Sequence, residues 1–471
     1  MDQRHLQELH SRRRFLDRCA GGLGTIALSQ LMAAEGRGPA GLHPHFPAKA
    51  KNVIFLFMDG GPSHIDLYDP KPAMRKHEGQ ALPESMTKNL RLAFIKPTAK
   101  VSASPRTFTP HGESGIPLTD WMPHLAARAD DICLIRSMFT DQFNHHPGQL
   151  MLNCGSPLVG RPSMGAWVNY GLGSESRNLP GFVVMRSGSN APGAGTGNWT
   201  SGFLPSSYQG VPLRGAGDAV LYLSNPRGVN GELQRATLDG LRDLNQMNQA
   251  TTGDVEIASR IASYELAFRM QQSAPELMDL SKEPAHILDS YGIDADRKNP
   301  YARNCLLARR LVERGVRFVQ LMHGNWDHHD DLDRKLKALC DQTDRPVAAL
   351  LMDLKQRGLL DSTLVIWGGE FGRTPMVQAD SPDTSVGIGR DHHPFAYSLW
   401  MAGGGIKGGQ VIGATDDFGL QVTADRVHVH DLHATILHCL GMNHEALTYR
   451  HMGRDFRLTD VAGRVVRKLL A

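Results

Sequence analysis

Several features that would place a chain in a specialised class are missing from this sequence of 471 residues. Its 51 Lys and Arg nearly balance its 48 Asp and Glu, and a net charge of +3 argues against a nucleic-acid binder with a strongly basic surface. The six cysteines show neither close pairing nor zinc-finger spacing, which argues against a disulfide framework. There is no internal repeat and no low-complexity tract. With 41% hydrophobic residues, the chain is predicted to be globular, with a sizeable core.

The N-terminus carries a sorting pattern. Residues 11–16 read Ser-Arg-Arg-Arg-Phe-Leu and precede a Gly- and Ala-rich apolar run at 19–34, which is too short and too rich in glycine for a stable membrane span. This pattern resembles a twin-arginine export signal over residues 1–35, followed by a linker at 36–50. It predicts the twin-arginine translocase as a partner and a periplasmic or cell-surface location. A basic amphipathic helix is the alternative interpretation.

Apolar runs that alternate with helical patterns predict the fold. Runs of strand character lie at 52–58, 131–136, 181–185, 316–322, 363–367 and 397–401. Helical spacing lies at 257–272, 301–314, 332–360 and 431–440. Pro346 is expected to begin a second helix within the third of these segments. The alternation predicts an α/β fold, a three-layer sandwich with a mostly parallel sheet over 51–465, with an insertion or cap at about 186–300.

Residues that can bind metal follow nearly every predicted strand. The sequence has 22 His, and many stand beside acidic residues. Candidate ligands or proton carriers at the predicted strand ends are Asp59, His64, His145, His146, Asp327, His329, Glu370 and His392. In open parallel sheets, ligands bind beyond the carboxyl ends of the strands, so these distant residues are expected to meet at one rim.

Their chemistry predicts a divalent cation. Carboxylate with imidazole favours zinc, with manganese, iron or calcium as alternatives, and one or two ions are expected. Two neighbouring ions can clamp the oxygens of a transferring phosphoryl or sulfuryl group. Arg373 and Arg390 are predicted to hold the remaining anionic oxygens. A lone Asp after a strand is usually only a turn or cap residue, and it is the joint occurrence of several clusters that supports a site.

The order of these clusters is similar to that of the alkaline phosphatase superfamily. In closer detail, the chain resembles a sulfatase-like bacterial family known as domain of unknown function 1501. The motifs that carry the resemblance are Met-Asp-Gly-Gly-Pro-Ser-His at 58–64, Asn-His-His at 144–146, Trp-Asp-His-His at 326–329, Gly-Glu-Phe-Gly-Arg-Thr-Pro at 369–375, Gly-Arg-Asp-His-His at 389–393 and Asp-Leu-His-Ala-Thr at 431–435. They cover nearly the whole chain after the linker.

The resemblance implies an alkaline phosphatase-like fold and a set of roles. The implied metal ligands are Asp59, Asp327, His329 and His392, with His64 and Glu370 as secondary ligands. Arg373 would orient the anion, and His145 or His146 would handle the proton or the attack. The implied activity is metal-dependent hydrolysis of a sulfate or phosphate ester, with sulfated polysaccharide as one substrate class.

Two departures from the superfamily pattern keep alternatives open. No Cys or Ser lies in the sulfatase motif that becomes formylglycine, and His145 occupies the position of the nucleophile, with Thr140 a remote alternative. Phe371 replaces an expected His, which puts a second metal site in doubt. One rival interpretation is a non-catalytic protein that binds metal or anions on the same scaffold. The other is a cytoplasmic phosphomutase or phosphotransferase, against which the export signal argues.

Overall fold

The computed structural model describes residues 44–88, 90–188, 192–214, 220, 223–293, 299–378 and 388–471. The predicted export signal at 1–35 and residues 36–43 of the predicted linker lie outside the described residues. Within the described part of the chain, no helix combines the length and the apolar composition that crossing a bilayer requires.

The strands are numbered in chain order. They are β1 Asn52–Met58, β2 Phe108–His111, β3 Ile116–Thr119, β4 Ile132–Phe139, β5 Phe182–Ser187, β6 Val211–Leu213, β7 Phe318–His323, β8 Thr363–Gly368, β9 Gly372–Gln378, β10 Gly389–His393, β11 Tyr397–Ala402, β12 Gln410–Ile412, β13 Ala414–Thr415, β14 Val422–Ala424, β15 Val427–His428, β16 Tyr449–His451 and β17 Arg454–Phe456.

The α-helices follow the same convention. They are α1 His64–Leu67, α2 Glu84–Thr87, α3 Pro123–Ala126, α4 His145–Cys154, α5 Met164–Leu172, α6 Gly231–Thr252, α7 Val255–Met278, α8 Ala285–Tyr291, α9 Pro300–Glu313, α10 Leu332–Gln356 and α11 Val429–Cys439.

A large, mostly parallel sheet forms the centre of the fold. Its strand order is β12-β4-β11-β8-β1-β7-β5-β6, and β15 also pairs with β4. β1 lies in the middle, parallel to β7 and to β8. β11 is antiparallel to both of its neighbours, whereas the other pairings in this sheet are parallel. The predicted α/β class with a mostly parallel sheet is confirmed.

Helices cover both faces of the sheet, which gives three layers. The side chains of β1 alternate between the faces: Ile54, Leu56 and Met58 pack into the core with α9 and α10, while Val53, Phe55 and Phe57 pack with α4, α5 and α11. All seven residues of β1 are buried, which requires the uninterrupted apolar run at 53–58, and the one polar residue, Asn52, donates its side-chain amide to the Val316 carbonyl at 2.8 Å.

The prediction that Pro346 begins a new helix is wrong. Pro346 lies inside α10, which runs unbroken from Leu332 to Gln356. Proline has no N–H to donate, so it would leave the carbonyl of residue 342 without its helical partner. Here the side-chain amide of Asn299 donates to the Gln342 carbonyl at 2.8 Å, and this bond replaces the missing one.

The segment predicted as an insertion at about 186–300 is only partly separate from the sheet. β6 lies within it and extends the central sheet by pairing in parallel with β5. The long helices α6 and α7 form a hairpin, and α7 contributes Met270, Ala274 and Leu277 to the core.

A two-stranded ribbon, β9–β10, lies outside the central sheet. The apolar pattern predicts no strand at 389–393, where the structure has β10. The ribbon packs closely on the loop after β7, where the Arg390 N–H donates to the His328 carbonyl at 3.1 Å. A Cβ on Gly389 would overlap the backbone at His329, so this approach requires glycine.

Candidate metal centre

The candidate site lies where the carboxyl ends of the central strands meet the β9–β10 ribbon. Asp59 follows β1, Asp327 lies in the loop after β7, and Glu370 follows β8. His145 is the first residue of α4, which follows β4, and His392 lies in β10. The sheet order places β8, β1 and β7 side by side, so three distant acidic segments reach one rim.

Four side chains form a compact group that could hold a metal ion, and we call it the metal-binding group. One ligand atom from each of His145, Asp327, His329 and His392 lies within 4.8 Å of the others. The Nε2 atom of His329 lies 2.8 Å from Asp327 Oδ1, that of His392 lies 3.3 Å from the same oxygen, and that of His145 lies 3.2 Å from Asp327 Oδ2. Asp327 is 38% exposed, so the group is open to solvent.

The opposite ring nitrogen of each histidine faces an acceptor. The Nδ1–H groups donate as follows: His145 to Glu370 Oε1 at 2.7 Å, His329 to Gln378 Oε1 at 2.6 Å, and His392 to the Phe143 carbonyl at 2.7 Å. A hydrogen bond donated from Nδ1 fixes the tautomer and leaves the Nε2 lone pair free. The three lone pairs are therefore directed at one carboxylate.

This arrangement fits a bound divalent cation. Three lone pairs beside a carboxylate repel one another unless a positive charge lies between them. The Nε2 atom of His145 is buried and has no hydrogen-bond partner. Tetrahedral zinc with bonds of about 2.0–2.1 Å places its ligand atoms about 3.3 Å apart. The observed separations of 2.8–3.3 Å from the two Asp327 oxygens lie near that spacing, and the group as a whole, within 4.8 Å, would contract around a bound ion.

The electrostatics of the group follow from the same contacts. Burial alone would raise the pKa of Asp327, but its close contacts with the three histidines and the charge of Arg373 hold that pKa well below its ordinary value in the absence of a cation. Burial would lower the pKa of His145, but its contacts with Asp327 and Glu370 raise it to about 9. Burial lowers the pKa of His392 to about 4. Without a cation, His145 rather than His392 is thus expected to be the protonated imidazole of this pair.

A second set of carboxylates lies directly behind His145. Asp59 accepts a hydrogen bond from the Gln149 side chain, and Glu370 accepts one from the Gly60 N–H at 3.1 Å. Burial and the neighbouring Glu370 raise the pKa of Asp59 to about 8. In this structure, Glu370 orients His145, and Asp59 is adjacent to the metal-binding group without belonging to it.

The two arginines predicted to hold an anion are instead buried among protein acceptors. Arg373 donates to Asp327 Oδ1 at 2.6 Å and to the carbonyls of Gly60, Gly61 and Arg390. Its position therefore suits holding Asp327 in place more than binding substrate. The Arg390 guanidinium pairs with buried Asp66 at 2.8 Å.

Two predicted histidines lie outside the group. His64 is buried, and its Nε2 lies 3.2 Å from the Gly419 carbonyl, while the neighbouring His393 contacts the Leu420 carbonyl at 2.8 Å. The rings of His64 and His393 thus hold the turn before β14. His146 is exposed beside His145 on the first turn of α4.

Sequence reasoning missed several residues that shape the site. Gln149 lies four residues after His145, so helical spacing could have placed it on the same face. The Phe371 ring packs against His145 and His392, with ring centroids 5.1 and 4.6 Å away. Phe94 contacts His392 from the outer side, with a centroid separation of 5.6 Å. No sequence signal linked it to the site.

The chain belongs to the family described as Protein of unknown function (DUF1501). The family model matches residues 50–470, nearly the whole described chain. No curated protein matches it.

Several solved structures are similar at low identity. The PsFucS1 sulfatase from Pseudoalteromonas sp. is 13% identical, with a TM-score of 0.37, over 90% of this chain and 72% of that one. The alkaline phosphatase from the Antarctic bacterium TAB5 is 12% identical, with a TM-score of 0.30, over 76% and 92%. The phosphonate monoester hydrolase SpPMH from Silicibacter pomeroyi is 12% identical, with a TM-score of 0.32, over 83% and 73%. At this level of similarity, neither substrate nor mechanism transfers to this chain.

Proposed function

We propose that this protein is a metal-dependent hydrolase of phosphate or sulfate esters. The observation that carries the proposal is the set of three imidazoles whose free Nε2 atoms meet at the Asp327 carboxylate. The order of the sequence motifs, which resembles the alkaline phosphatase superfamily, supports the reaction class.

The residues that would hold the cation are His145, Asp327, His329 and His392, and zinc suits this donor set. A bound divalent ion supplies Lewis-acid activation of water and of the ester oxygens. It also changes the local charge: the Asp327 and Glu370 carboxylates, the Arg373 guanidinium and the protonated His145 sum to zero, and a dication that displaces the His145 proton brings the sum to +1. An anionic ester is then attracted to the exposed side of Asp327.

The chain's own residues have separate roles in this proposal. Glu370 and Gln378 hold the imidazole rings in orientation, and Arg373 positions Asp327. His145 occupies the position that the nucleophile has in the alkaline phosphatase superfamily, but here it belongs to the metal-binding group. Because no side chain is then assigned as the nucleophile, we propose that water attacks the ester directly. His146, exposed on the next position of α4, is the candidate for proton transfer.

The test combines metal analysis with turnover. The purified protein is assayed for metal by mass spectrometry and for hydrolysis of aryl phosphate and aryl sulfate, before and after chelation. We expect about one bound zinc equivalent, and turnover that chelation abolishes and zinc restores. Metal-free protein with full turnover would contradict the proposal.

A non-catalytic metal-binding protein is the second candidate. The specific observation in its favour is a set of four protein ligands, since closed four-ligand sets are typical of structural zinc. One stable zinc equivalent with no turnover of either ester class would favour this alternative.

We also propose that the protein is exported by the twin-arginine pathway to the periplasm or the cell surface. The proposal is supported by the Ser-Arg-Arg-Arg-Phe-Leu sequence at 11–16, outside the described residues. A sulfated polysaccharide is a fitting substrate there, because a large anionic polymer must be met outside the cell. Replacement of Arg12 and Arg13 by Lys should retain the full chain in the cytoplasm, as followed by cell fractionation. Export at the wild-type level would contradict the assignment.

A further inference from the structure

The outer face of α6 is an exposed apolar stripe. Leu233, Leu241, Leu244 and Met247 are 52%, 39%, 64% and 69% exposed. They recur at helical spacing along one side of a helix of 22 residues. Isolated large apolar side chains on a surface are ordinary, whereas a row of them along one helix marks a contact surface.

The side of α6 that packs on the protein is mostly polar, with Leu238 as its half-buried large apolar residue. Arg235 pairs with Glu265 of α7 at 2.6 Å, and its guanidinium lies 5.0 Å from the centre of the Phe268 ring. None of the α6 side chains is buried. In proteins, a helix is stabilised mainly by packing of its apolar face, and within the described residues this helix turns its apolar face outward. Burial of the stripe would stabilise α6.

We infer that a second copy of this chain covers the stripe, with the two α6 helices antiparallel about a two-fold axis at Gly240. An isologous pair needs a surface that is complementary to itself. The stripe has that property. Leu233 lies seven residues before Gly240 and Met247 seven residues after it, so each would face the other across the axis. By the same rule, Leu244 faces the small Ala236, whereas Leu241 at the edge of the stripe faces Asp239, whose charge is paired with Arg235 and Arg242.

Gly240 has no other explanation within the described structure. A glycine inside a helix is destabilising relative to alanine. A Cβ at this position would meet nothing within 4 Å, so no contact in the protomer requires its absence. At a two-fold axis, however, the missing side chain allows two helix backbones to approach closely.

The charges of α6 argue against a membrane or a nucleic acid as its partner. Two arginines, Arg235 and Arg242, stand against three acids, Glu232, Asp239 and Asp243, for a sum of −1. Helices that lie on membranes carry Lys and Arg on their polar face, and nucleic-acid surfaces are basic. One helix pair buries less than a standard interface of about 1,600 Å². We therefore expect a dimer that dissociates on dilution.

Sedimentation velocity of the full chain over a dilution series tests the inference. The wild type should pass from dimer to monomer, and the double variant Leu244→Asp/Met247→Asp should remain monomeric at every concentration. The matched control is Leu158→Asp/Val159→Asp, which alters an equally exposed apolar pair on the loop after α4 and should leave the dimer unchanged. Circular dichroism confirms that each variant is folded.

A cysteine variant that leaves the stripe apolar tests the axis. Thr237→Cys should give a covalent dimer with a short bifunctional thiol reagent, because this exposed position lies three residues from the axis and its two copies would be about 9 Å apart along the helix. Glu232→Cys, whose two copies would be about 24 Å apart along the helix, should not. A wild type that is monomeric throughout, a dimer that survives the double Asp variant, or equal cross-linking at both positions would each overturn the inference. So would a monomer that binds phosphatidylcholine vesicles through the stripe.

Discussion

Neighbouring histidines at the start of α4 have different environments. His145 has one nitrogen held by Glu370 and the other beside Asp327, whereas His146 is exposed. Two adjacent residues of the same type therefore provide a matched pair for experiment, because chain position and helix context are nearly identical and only the contact with the metal-binding group differs.

His145→Ala should weaken zinc binding by at least about tenfold, because it removes a ligand, and loss even of a supporting group typically costs 10–100-fold. His146→Ala should bind zinc as the wild type does. Both constants can be measured by competition with a chromophoric chelator. Equal loss in the two variants, or none in either, would contradict the ligand assignment.

A buried ion pair at the edge of the site sets a pH dependence. Asp66 is fully buried, and although burial raises its pKa, the charge and hydrogen bonds of Arg390 and the hydroxyl of Ser63 lower it below the ordinary value. Asp66→Asn leaves the Arg390 charge unpaired and should reduce the free energy of unfolding by about 3–5 kcal/mol at neutral pH.

The sign of the pH effect follows from the lowered pKa. The unfolded carboxyl has a pKa of about 3.9, so the stability that the Asp66 charge contributes is complete above this value and is lost as the pH falls below it. Urea unfolding of wild type and Asp66→Asn should show a gap that narrows in acid. A gap that is independent of pH would show that the carboxylate charge does not stabilise the fold.

The turn after β1 packs directly against the loop that carries Asp327. Gly60 has a φ of +122°, and a Cβ there would overlap the backbone of Trp326 and Asp327. Gly60→Ala should therefore displace the Asp327 loop, lower the free energy of unfolding by about 3 kcal/mol and weaken zinc binding.

Gly79 supplies the control for this prediction. It has a φ of +71° with nothing near its Cβ position, so Gly79→Ala should cost about 1 kcal/mol and leave zinc binding unchanged. Denaturant unfolding and metal titration of both variants provide the comparison. Equal effects on zinc binding would remove the role assigned to the close approach at Gly60.

Elements could be predicted from the sequence where burial alone determines them. β1 is predicted over its observed residues because both of its faces are buried and every residue after Asn52 is apolar. β10 was missed because Gly-Arg-Asp-His-His has no apolar alternation, and its extended form depends on pairing with β9 and packing on the loop after β7. His64 was placed with Asp59 because the two are close in sequence, but α1 directs its ring to the Gly419 carbonyl.

At the scale of the whole molecule, the metal-binding group joins α4, the loop after β7 and the β9–β10 ribbon. A cation bound only by the folded state should stabilise it by about 2.7 kcal/mol when the free ion is at 100 times its Kd. Chelation should thus lower the melting temperature of the wild type, as followed by scanning fluorimetry. His392→Ala should melt at one temperature with or without chelator. If chelation left the melting temperature of the wild type unchanged, the ion would not stabilise the fold.

The ligands are also widely spaced along the chain, from His145 to His392. A ribosome must therefore release most of the polypeptide, and the sheet must assemble, before the four donors can meet. Under the proposed function, metal loading is in consequence a late event that follows synthesis, and the cellular compartment in which folding is completed would decide which ion the protein receives.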